Sequence, residues 1–282
     1  MKSVSRIYTI LCFVILYAPV AVMVLFSFNS TDSIFSFSGF SLRWYESILS
    51  GGEAVDTLIN SLVLATLSSI ISTVVGTAAA IGIYHMKQKW LKNTTMQVTN
   101  IPMMNPDIVT GISMMLLFIT VGTLIGANLL GFWTILIAHI TFNLPYVILS
   151  VMPKLKQLDP NLTEAALDLG CTPLQAFLKV ELPAIIPGII SGMIMAFTLS
   201  LDDFVISYFT TGASFKTFPT YIYSLVKKPF KPNIYALSSI MTIAVLILLI
   251  ISNIISSKDE NSAKRTKNKP AKQHALRRKE AK

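Results

Sequence analysis

Residues 108–153 read IVTGISMMLLFITVGTLIGANLLGFWTILIAHITFNLPYVILSVMP and contain no Asp, Glu, Lys or Arg. The stretch is long enough to supply two membrane crossings of about 20 residues each. Because backbone polar groups in a bilayer must pair within the chain, we expect both crossings to be helices. The stretch therefore predicts an integral membrane protein.

Four other runs lack the same charged residue types, and they cover residues 7–31, 57–86, 182–201 and 232–257. Charged residues make up 13% of the chain, against about 25% in a typical soluble domain. We therefore predict an all-α, polytopic fold with about six transmembrane helices. The predicted spans lie near residues 7–28, 58–84, 103–122, 131–152, 186–209 and 234–256. They form a transmembrane domain over residues 1–257, which is followed by a basic tail over residues 258–282.

The two ends of the chain carry basic residues. Lys2 and Arg6 before an apolar run also fit a cleaved signal peptide, but the run is longer than a signal core, so we predict a retained span. Lys and Arg also concentrate after the second and fourth spans, so the positive-inside rule predicts that both termini are cytoplasmic. The Lys-rich tail is expected to be disordered, either solvated or touching anionic lipid headgroups. In the loop after the first span, Trp44 and Tyr45 are predicted to anchor at the membrane interface.

The sequence offers little for chemistry on this chain itself. It contains no Walker A phosphate loop and no nucleophilic triad, so we expect no catalytic residues. Its three histidines are too scattered for a metal site. Cys12 and Cys171 are predicted to be free thiols. Much of the net charge of +9 lies in the tail, so nucleic acid is not an expected partner.

The segment 154–187 is too polar to be a span and predicts two short helices. Asp159 and Pro160 fit the cap and first position of one helix, and Gly170 fits its left-handed end. Thr172, Pro173 and Gln175 fit the start of a second helix with a capping box. Pro183 and Pro187 are expected to break the helix before the fifth span. Such a loop fits either a docking surface, on which Glu164 and Asp168 meet one basic patch, or an amphipathic connector on the headgroups.

The segment 154–187 contains Glu164-Ala165-Ala166, then Gly170, then Val180-x-Leu182-Pro183. This pattern resembles the EAA loop of the permeases of binding-protein-dependent ABC importers, and the segment is called the coupling loop from here on. The resemblance implies a type I importer permease fold in which this loop contacts an ATPase subunit. The implied contact residues are Glu164, Ala165, Ala166 and Gly170, with Asp168 added from its spacing to Glu164.

Acidic residues in or near the predicted spans are candidates for the transport pathway. Asp202 and Asp203 lie in the outer half of the fifth span, where one can face a pathway while the other pairs with a helix or caps a break. Asp107 opens the third span, as a pathway group or as a charge favoured by the helix dipole. Acids with nearby aromatics such as Tyr208 fit a cationic cargo, and a polyamine is consistent with them.

A second resemblance concerns the cargo. The runs 200–209 (SLDDFVISYF), 217–219 (TFP), 222–224 (IYS), 232–238 (PNIYALS), 106–113 (PDIVTGIS) and 40–45 (FSLRWY) resemble the spermidine/putrescine importer permeases of the second type. The resemblance implies a permease in the cytoplasmic membrane of a prokaryote that works with a second homologous permease, an ATPase dimer and an extracytoplasmic polyamine-binding protein. The resemblance implies that ATP and Mg bind to the partner ATPase and that this chain itself binds no cofactor.

Two alternatives remain open. The chain can be an ABC permease for another small solute, or an ion-coupled secondary transporter that uses Asp202, Asp203 or Asp107 as a proton or sodium site. The sequence also suggests close helix contacts at Gly188 and Gly192 and a partner interface at residues 76–80. His139 can be a proton relay or a hydrogen-bonded packing residue.

Overall fold

The computed structural model describes residues 2–31, 36–49, 51–213, 215–226, 234–247 and 250. The described part is helical apart from its connections, with one isolated bridge between Asn29 and Phe40. The helices are α1 Lys2–Phe26, α2 Arg43–Leu49, α3 Glu53–His85, α4 Lys89–Met104, α5 Asp107–Ile125, α6 Phe132–Gln157, α7 Pro160–Asp168, α8 Pro173–Ala176, α9 Leu182–Asp202, α10 Val205–Thr210, α11 Phe218–Val226 and α12 Ile234–Ile247.

The centre of the fold is a bundle of α3, α6 and α9, each of which packs against the other two. Small residues bring these helices close together. A Cβ atom added at Gly188 on α9 would lie 2.9 Å from the carbonyl oxygen of Ser150 on α6. At Gly76 on α3 it would lie 2.8 Å from Cγ1 of Val147. The predicted helix contact at Gly188 is therefore confirmed. Gly76 packs inside this chain, but Ala78 of the same run is exposed, so the partner interface at residues 76–80 stays a prediction.

The buried side of α3 is rich in small hydroxyl residues, among them Ser61, Ser68, Ser69, Ser72, Thr73 and Thr77. Ser69 Oγ donates to the carbonyl of Thr66, and Ser72 Oγ donates to the carbonyl of Ser69. Ser68 reaches another helix, because its Oγ lies 2.9 Å from Ser200 Oγ on α9. This hydroxyl face is the seam along which α3 meets the rest of the bundle.

Five helices in the described part are long and apolar enough to cross a membrane. Four of them, α1, α3, α5 and α6, match predicted spans with shifted ends. The fifth runs through α9. Helix α12 falls in the sixth predicted span, 234–256, of which residues 248, 249 and 251–256 lie outside the described part. The basic tail 258–282 also lies outside it.

Two parts of the sequence form structure that was not predicted. Helix α4 covers residues that were predicted to be a loop and the start of the third span. It ends at Met104 and has no buried residue, and α5 begins after Pro106. The predicted break at Pro183 and Pro187 is wrong, because one helical segment runs from Pro173 to Asp202. It passes through a π-helical turn at Phe177–Glu181, and local π geometry is one way in which membrane helices accommodate proline.

The predicted fifth span, 186–209, is interrupted. Helix α9 ends at Asp202, and the short α10 begins at Val205. Helix α10 packs against α5, so the break brings the third and fifth spans together.

The helices near the first loop form a separate small core. Trp44 is 8% exposed and donates from Nε1 to the carbonyl of Asn29 at 2.8 Å. It packs in a cluster with Ile48 and Phe218. The prediction that Trp44 anchors at the membrane interface is therefore wrong. In contrast, α1 has no buried residue between Arg6 and Phe26.

Candidate functional site: the coupling loop and the break in the fifth span

The caps of the coupling loop form as the sequence predicts. Asp159 accepts a hydrogen bond from the backbone N–H of Asn161, and Pro160 opens α7. Thr172 and Gln175 form a reciprocal capping box at the start of α8, with distances of 3.3 and 3.1 Å. Gly170 ends α7 with a φ of 85°, in the left-handed region that favours glycine. These local bonds fix the turn between α7 and α8.

The predicted contact residues divide into two groups. Glu164, Ala165, Asp168 and Gly170 are exposed. Ala166 is 8% exposed and faces the chain's own interior. The outer surface of the loop therefore offers two carboxylates one helical turn apart, together with the exposed Leu169 and Leu174.

A buried glutamate lies behind α7 that sequence reasoning missed. Glu181 ends the π-helical turn and is 6% exposed. Thr163 Oγ1 on α7 donates to Glu181 Oε1 at 3.2 Å, and His85 Nε2 at the end of α3 lies 3.8 Å from Glu181 Oε2. In the sequence, Glu181 occupies the position x of Val180-x-Leu182-Pro183, for which the pattern specifies no residue type. The sequence pattern therefore did not indicate a role for it.

The second region is the break after α9, where Asp203 caps α10. Its Oδ1 accepts from the N–H of Ile206 at 3.3 Å, and its Oδ2 accepts from the N–H of Ser207 at 2.7 Å. His139 Nε2 on α6 lies 3.5 Å from Asp203 Oδ2 and 3.1 Å from Ser207 Oγ. Asp203 thus satisfies the free N–H groups of a helix start and also faces a buried histidine.

A polar network continues inward from this break. Asn143 Nδ2 donates to Ser200 Oγ at 2.8 Å, and Ser200 Oγ lies 2.9 Å from Ser68 Oγ. Thr134 Oγ1 donates to the carbonyl of Thr210 at 2.9 Å. Helices α3, α6, α9 and α10 are therefore joined by buried hydrogen bonds at the level of the break. Such bonds hold membrane helices together where lipid offers no alternative partner.

Asp202 is placed differently from its neighbour, because its side chain is exposed. Two positions further along the chain, the ring of Phe204 packs in a tilted arrangement against Tyr208 and against Tyr223 of α11, with ring centroids 5.4 and 4.7 Å apart. Tyr208 and Tyr223 lie 5.7 Å apart, and both are partly exposed. The break therefore carries an exposed carboxylate two positions before Phe204, which belongs to a cluster of three aromatic rings. Tyr223 joins it from another helix, which its position in the sequence did not indicate.

Asp107 lies in the first turn of α5 and is exposed. The described contacts place α5 against α10, so Asp107 belongs to the helix that packs on the broken span. Among the described residues, no group of three or more His, Cys, Asp or Glu side chains is placed to hold a metal ion. Cys12 and Cys171 are free thiols, as predicted.

Spanning helices that carry a compact polar loop define a multi-pass membrane protein, and an interrupted span with a buried polar network is a feature of many membrane transport proteins. The profile of the family described as binding-protein-dependent transport system inner membrane component matches residues 72–258. The chain belongs to this family. It is accordingly a transport component of a prokaryotic inner membrane, and the predicted all-α polytopic fold and the family resemblance are confirmed.

Two similar proteins illustrate the relationship. The spermidine/putrescine transport system permease protein PotC of Haemophilus influenzae is 37% identical over 246 residues, which cover 87% of this chain and 93% of that protein. The putrescine transport system permease protein PotI of Escherichia coli K12 is 36% identical over 252 residues, which cover 89% and 90%.

Solved structures show the same fold at low identity. One chain of a bacterial ABC transporter that imports the acidic polysaccharide alginate aligns with a TM-score of 0.73 at 15% identity, covering 91% of this chain and 95% of that chain. A chain of the MetNI methionine ABC transporter aligns with a TM-score of 0.60 at 17% identity, covering 75% and 98%. The fold is therefore that of an ABC transporter permease.

Proposed function

We propose that this chain is the permease subunit of an ATP-driven importer that carries polyamines, of the spermidine and putrescine class, across the cytoplasmic membrane. The observation that carries the proposal is the similarity to PotC and PotI over most of both chains, at 37% and 36% identity. The proposed partners are a second homologous permease, an ATPase dimer that holds ATP and Mg, and an extracytoplasmic polyamine-binding protein. Both termini face the cytoplasm in this arrangement.

The break in the fifth span supports a cationic cargo. A polyamine carries several ammonium groups separated by apolar carbon chains. Asp202 offers an exposed carboxylate, and Tyr208 and Tyr223 offer partly exposed aromatic faces in the cluster that includes Phe204, two positions from Asp202 in the chain. A carboxylate attracts an ammonium group directly, and an aromatic face adds a cation–π contact of about 0.5–2 kcal/mol. We propose that Asp202 and Tyr208, with Tyr223, contact the cargo in the pathway.

The two adjacent aspartates have different roles in this proposal. Both carboxylate oxygens of Asp203 accept backbone hydrogen bonds, and one of them also faces His139. Asp203 is therefore better suited to fix the break than to bind cargo, and it acts on the pathway by positioning Asp202. Asp107 remains a proposed pathway residue from α5.

The coupling loop supports attachment of an ATPase. We propose that Glu164, Ala165, Asp168 and Gly170 form its contact surface, while Ala166 packs the helix against the rest of this chain. Two carboxylates at a spacing of four residues present one acidic patch, which suits a basic patch on the partner. ATP binding would then pull on α7, and the spanning helices would move to open the pathway. The chain contributes positioning and gating.

The test of cargo binding is the substitution Asp202→Asn in the reconstituted importer. Uptake of radiolabelled spermidine into proteoliposomes should show a KM raised about tenfold, because loss of one charge contact weakens binding by roughly that factor. Asp56→Asn is the matched control, since Asp56 is also an exposed aspartate, on the first turn of α3. An unchanged KM in Asp202→Asn would remove Asp202 from the pathway. Absence of ATP-dependent spermidine uptake by the unmodified importer would show that the cargo is another solute.

A further inference from the structure

Glu181 is a buried carboxylate that has no role in the transport mechanism proposed above. It is 6% exposed, and its Oε2 accepts no hydrogen bond in the described part of the chain. A carboxylate removed from water without full compensation destabilises a fold. The π-helical turn that places it is a feature often found at functional sites. Both observations call for a role beyond packing.

The surroundings of Glu181 join three parts of the chain. Thr163 donates to its Oε1 from the middle of α7. His85, at the last position of α3, faces its Oε2 at 3.8 Å, which is too long for a hydrogen bond but close enough for electrostatic contact. Glu181 itself immediately precedes α9, so its backbone moves with that helix. One side chain thus lies between the coupling loop and two spanning helices.

The contact with His85 has a defined chemistry. His85 Nδ1 lies 3.0 Å from the carbonyl oxygen of Ile81, and since a carbonyl cannot donate, Nδ1 carries the hydrogen. The carboxylate of Glu181 only accepts, so its contact with His85 is attractive in the imidazolium form, in which Nε2 also carries a hydrogen. In the neutral ring Nε2 is an acceptor, which can bind an amide hydrogen instead. A glutamine at this position would offer its carbonyl oxygen to Thr163 and its amide hydrogens to His85. Glutamine is therefore expected to preserve the link, whereas leucine would remove both contacts.

We propose that Glu181 is a positioning residue that ties α7 to the end of α3 and the start of α9, so that movement of the coupling loop reaches both helices together. The inference rests on the proposed function in one respect, namely that an ATPase acts on α7. Glu181 contacts neither cargo nor ATPase. Its loss should therefore leave the complex assembled but should weaken the coupling of ATP hydrolysis to transport.

The experiment compares four variants in the reconstituted importer: Glu181→Leu, Glu181→Gln, Thr163→Val and their control Thr141→Val. The control removes a hydroxyl that bonds only to the carbonyl of Ile137 in its own helix. For each we measure spermidine uptake per ATP hydrolysed, and copurification of the ATPase. Glu181→Leu should lower the ratio about tenfold, as expected for loss of a hydrogen bond to a charged group. Thr163→Val should lower it in the same direction, and Glu181→Gln should stay within about twofold of the unmodified ratio.

A double variant gives a sharper readout. If the two side chains act through one link, Thr163→Val should have no further effect in the Glu181→Leu background. An unchanged ratio in Glu181→Leu, or an equal loss in Glu181→Gln, would overturn the inference. If Glu181→Leu fails to assemble, Thr163→Val decides, because an unchanged ratio in that variant would also overturn it. Copurification of the ATPase with Glu164→Lys separately tests docking on α7, so that failure of either idea can be recognised by itself.

Discussion

Asparagine in place of Asp203 should destabilise the protein, while the same change at Asp202 should not. Asp203 accepts from the N–H groups of Ile206 and Ser207 and faces His139. The asparagine side chain has one acceptor oxygen, and its other terminal group is an amide donor. That donor would face either a backbone N–H group or His139, neither of which it can bind as the carboxylate does. One hydrogen bond to a charged group is then lost, which is worth about 2 kcal/mol. For a chain of this size, that loss lowers the melting temperature by about 4–8 °C.

The assay is thermal unfolding of the purified protein in detergent, followed by tryptophan fluorescence. Asp202→Asn is the matched control, because an exposed substitution usually changes stability by less than about 0.5 kcal/mol. Equal losses in the two variants would refute the argument that only Asp203 caps the break. A larger loss in Asp202→Asn would reverse the assignment of roles.

Three further predictions address packing, docking and the tail. Gly188→Val should reduce the yield of folded protein and lower its melting temperature, because a Cβ at this position would lie 2.9 Å from the carbonyl oxygen of Ser150. Such overpacking costs about 1–3 kcal/mol. Gly82→Val is the control, since a Cβ at that position meets no atom within 4 Å. Glu164→Lys should abolish copurification of the ATPase by reversing the charge of the proposed contact, and normal copurification together with normal uptake would contradict that role. Truncation after Ser257 should leave spermidine uptake largely intact, and lost uptake in a correctly inserted truncation would show that the basic tail takes part in transport.

The features that the sequence predicted well depend on local rules. The spans follow from runs without charge, and the caps at Asp159 and Thr172 follow from the hydrogen bonds that a helix start requires within three residues. The left-handed Gly170 follows from the same local geometry. The continuous helix through Pro183 did not follow from such rules. A π-helical turn lies just before this proline, and it changes the pattern of backbone hydrogen bonds that the proline would otherwise interrupt.

The features that the sequence missed depend on packing between distant segments. The sequence indicates that one of Asp202 and Asp203 caps a break, but it does not show which one, because only the position of the helix end separates an exposed side chain from a capping one. Glu181 was singled out because it contacts Thr163 and His85, which lie 18 and 96 positions away in the chain. Gly76 looked like a contact for a partner, but it is covered by α6 of the same chain.

The hydroxyl face of α3 has a consequence for how the bundle can move. Ser69 and Ser72 donate to carbonyls of their own helix, so those bonds travel with α3 when it shifts. Among the described residues of this face, Ser68 bonds across to Ser200 of α9, and Ser61 accepts from the N–H of Phe218 on α11. Short side chains on this face also interlock less deeply than leucine or phenylalanine would. A small displacement of α3 along its neighbours therefore breaks few bonds, which makes this face a low-resistance sliding surface within an otherwise tightly joined core.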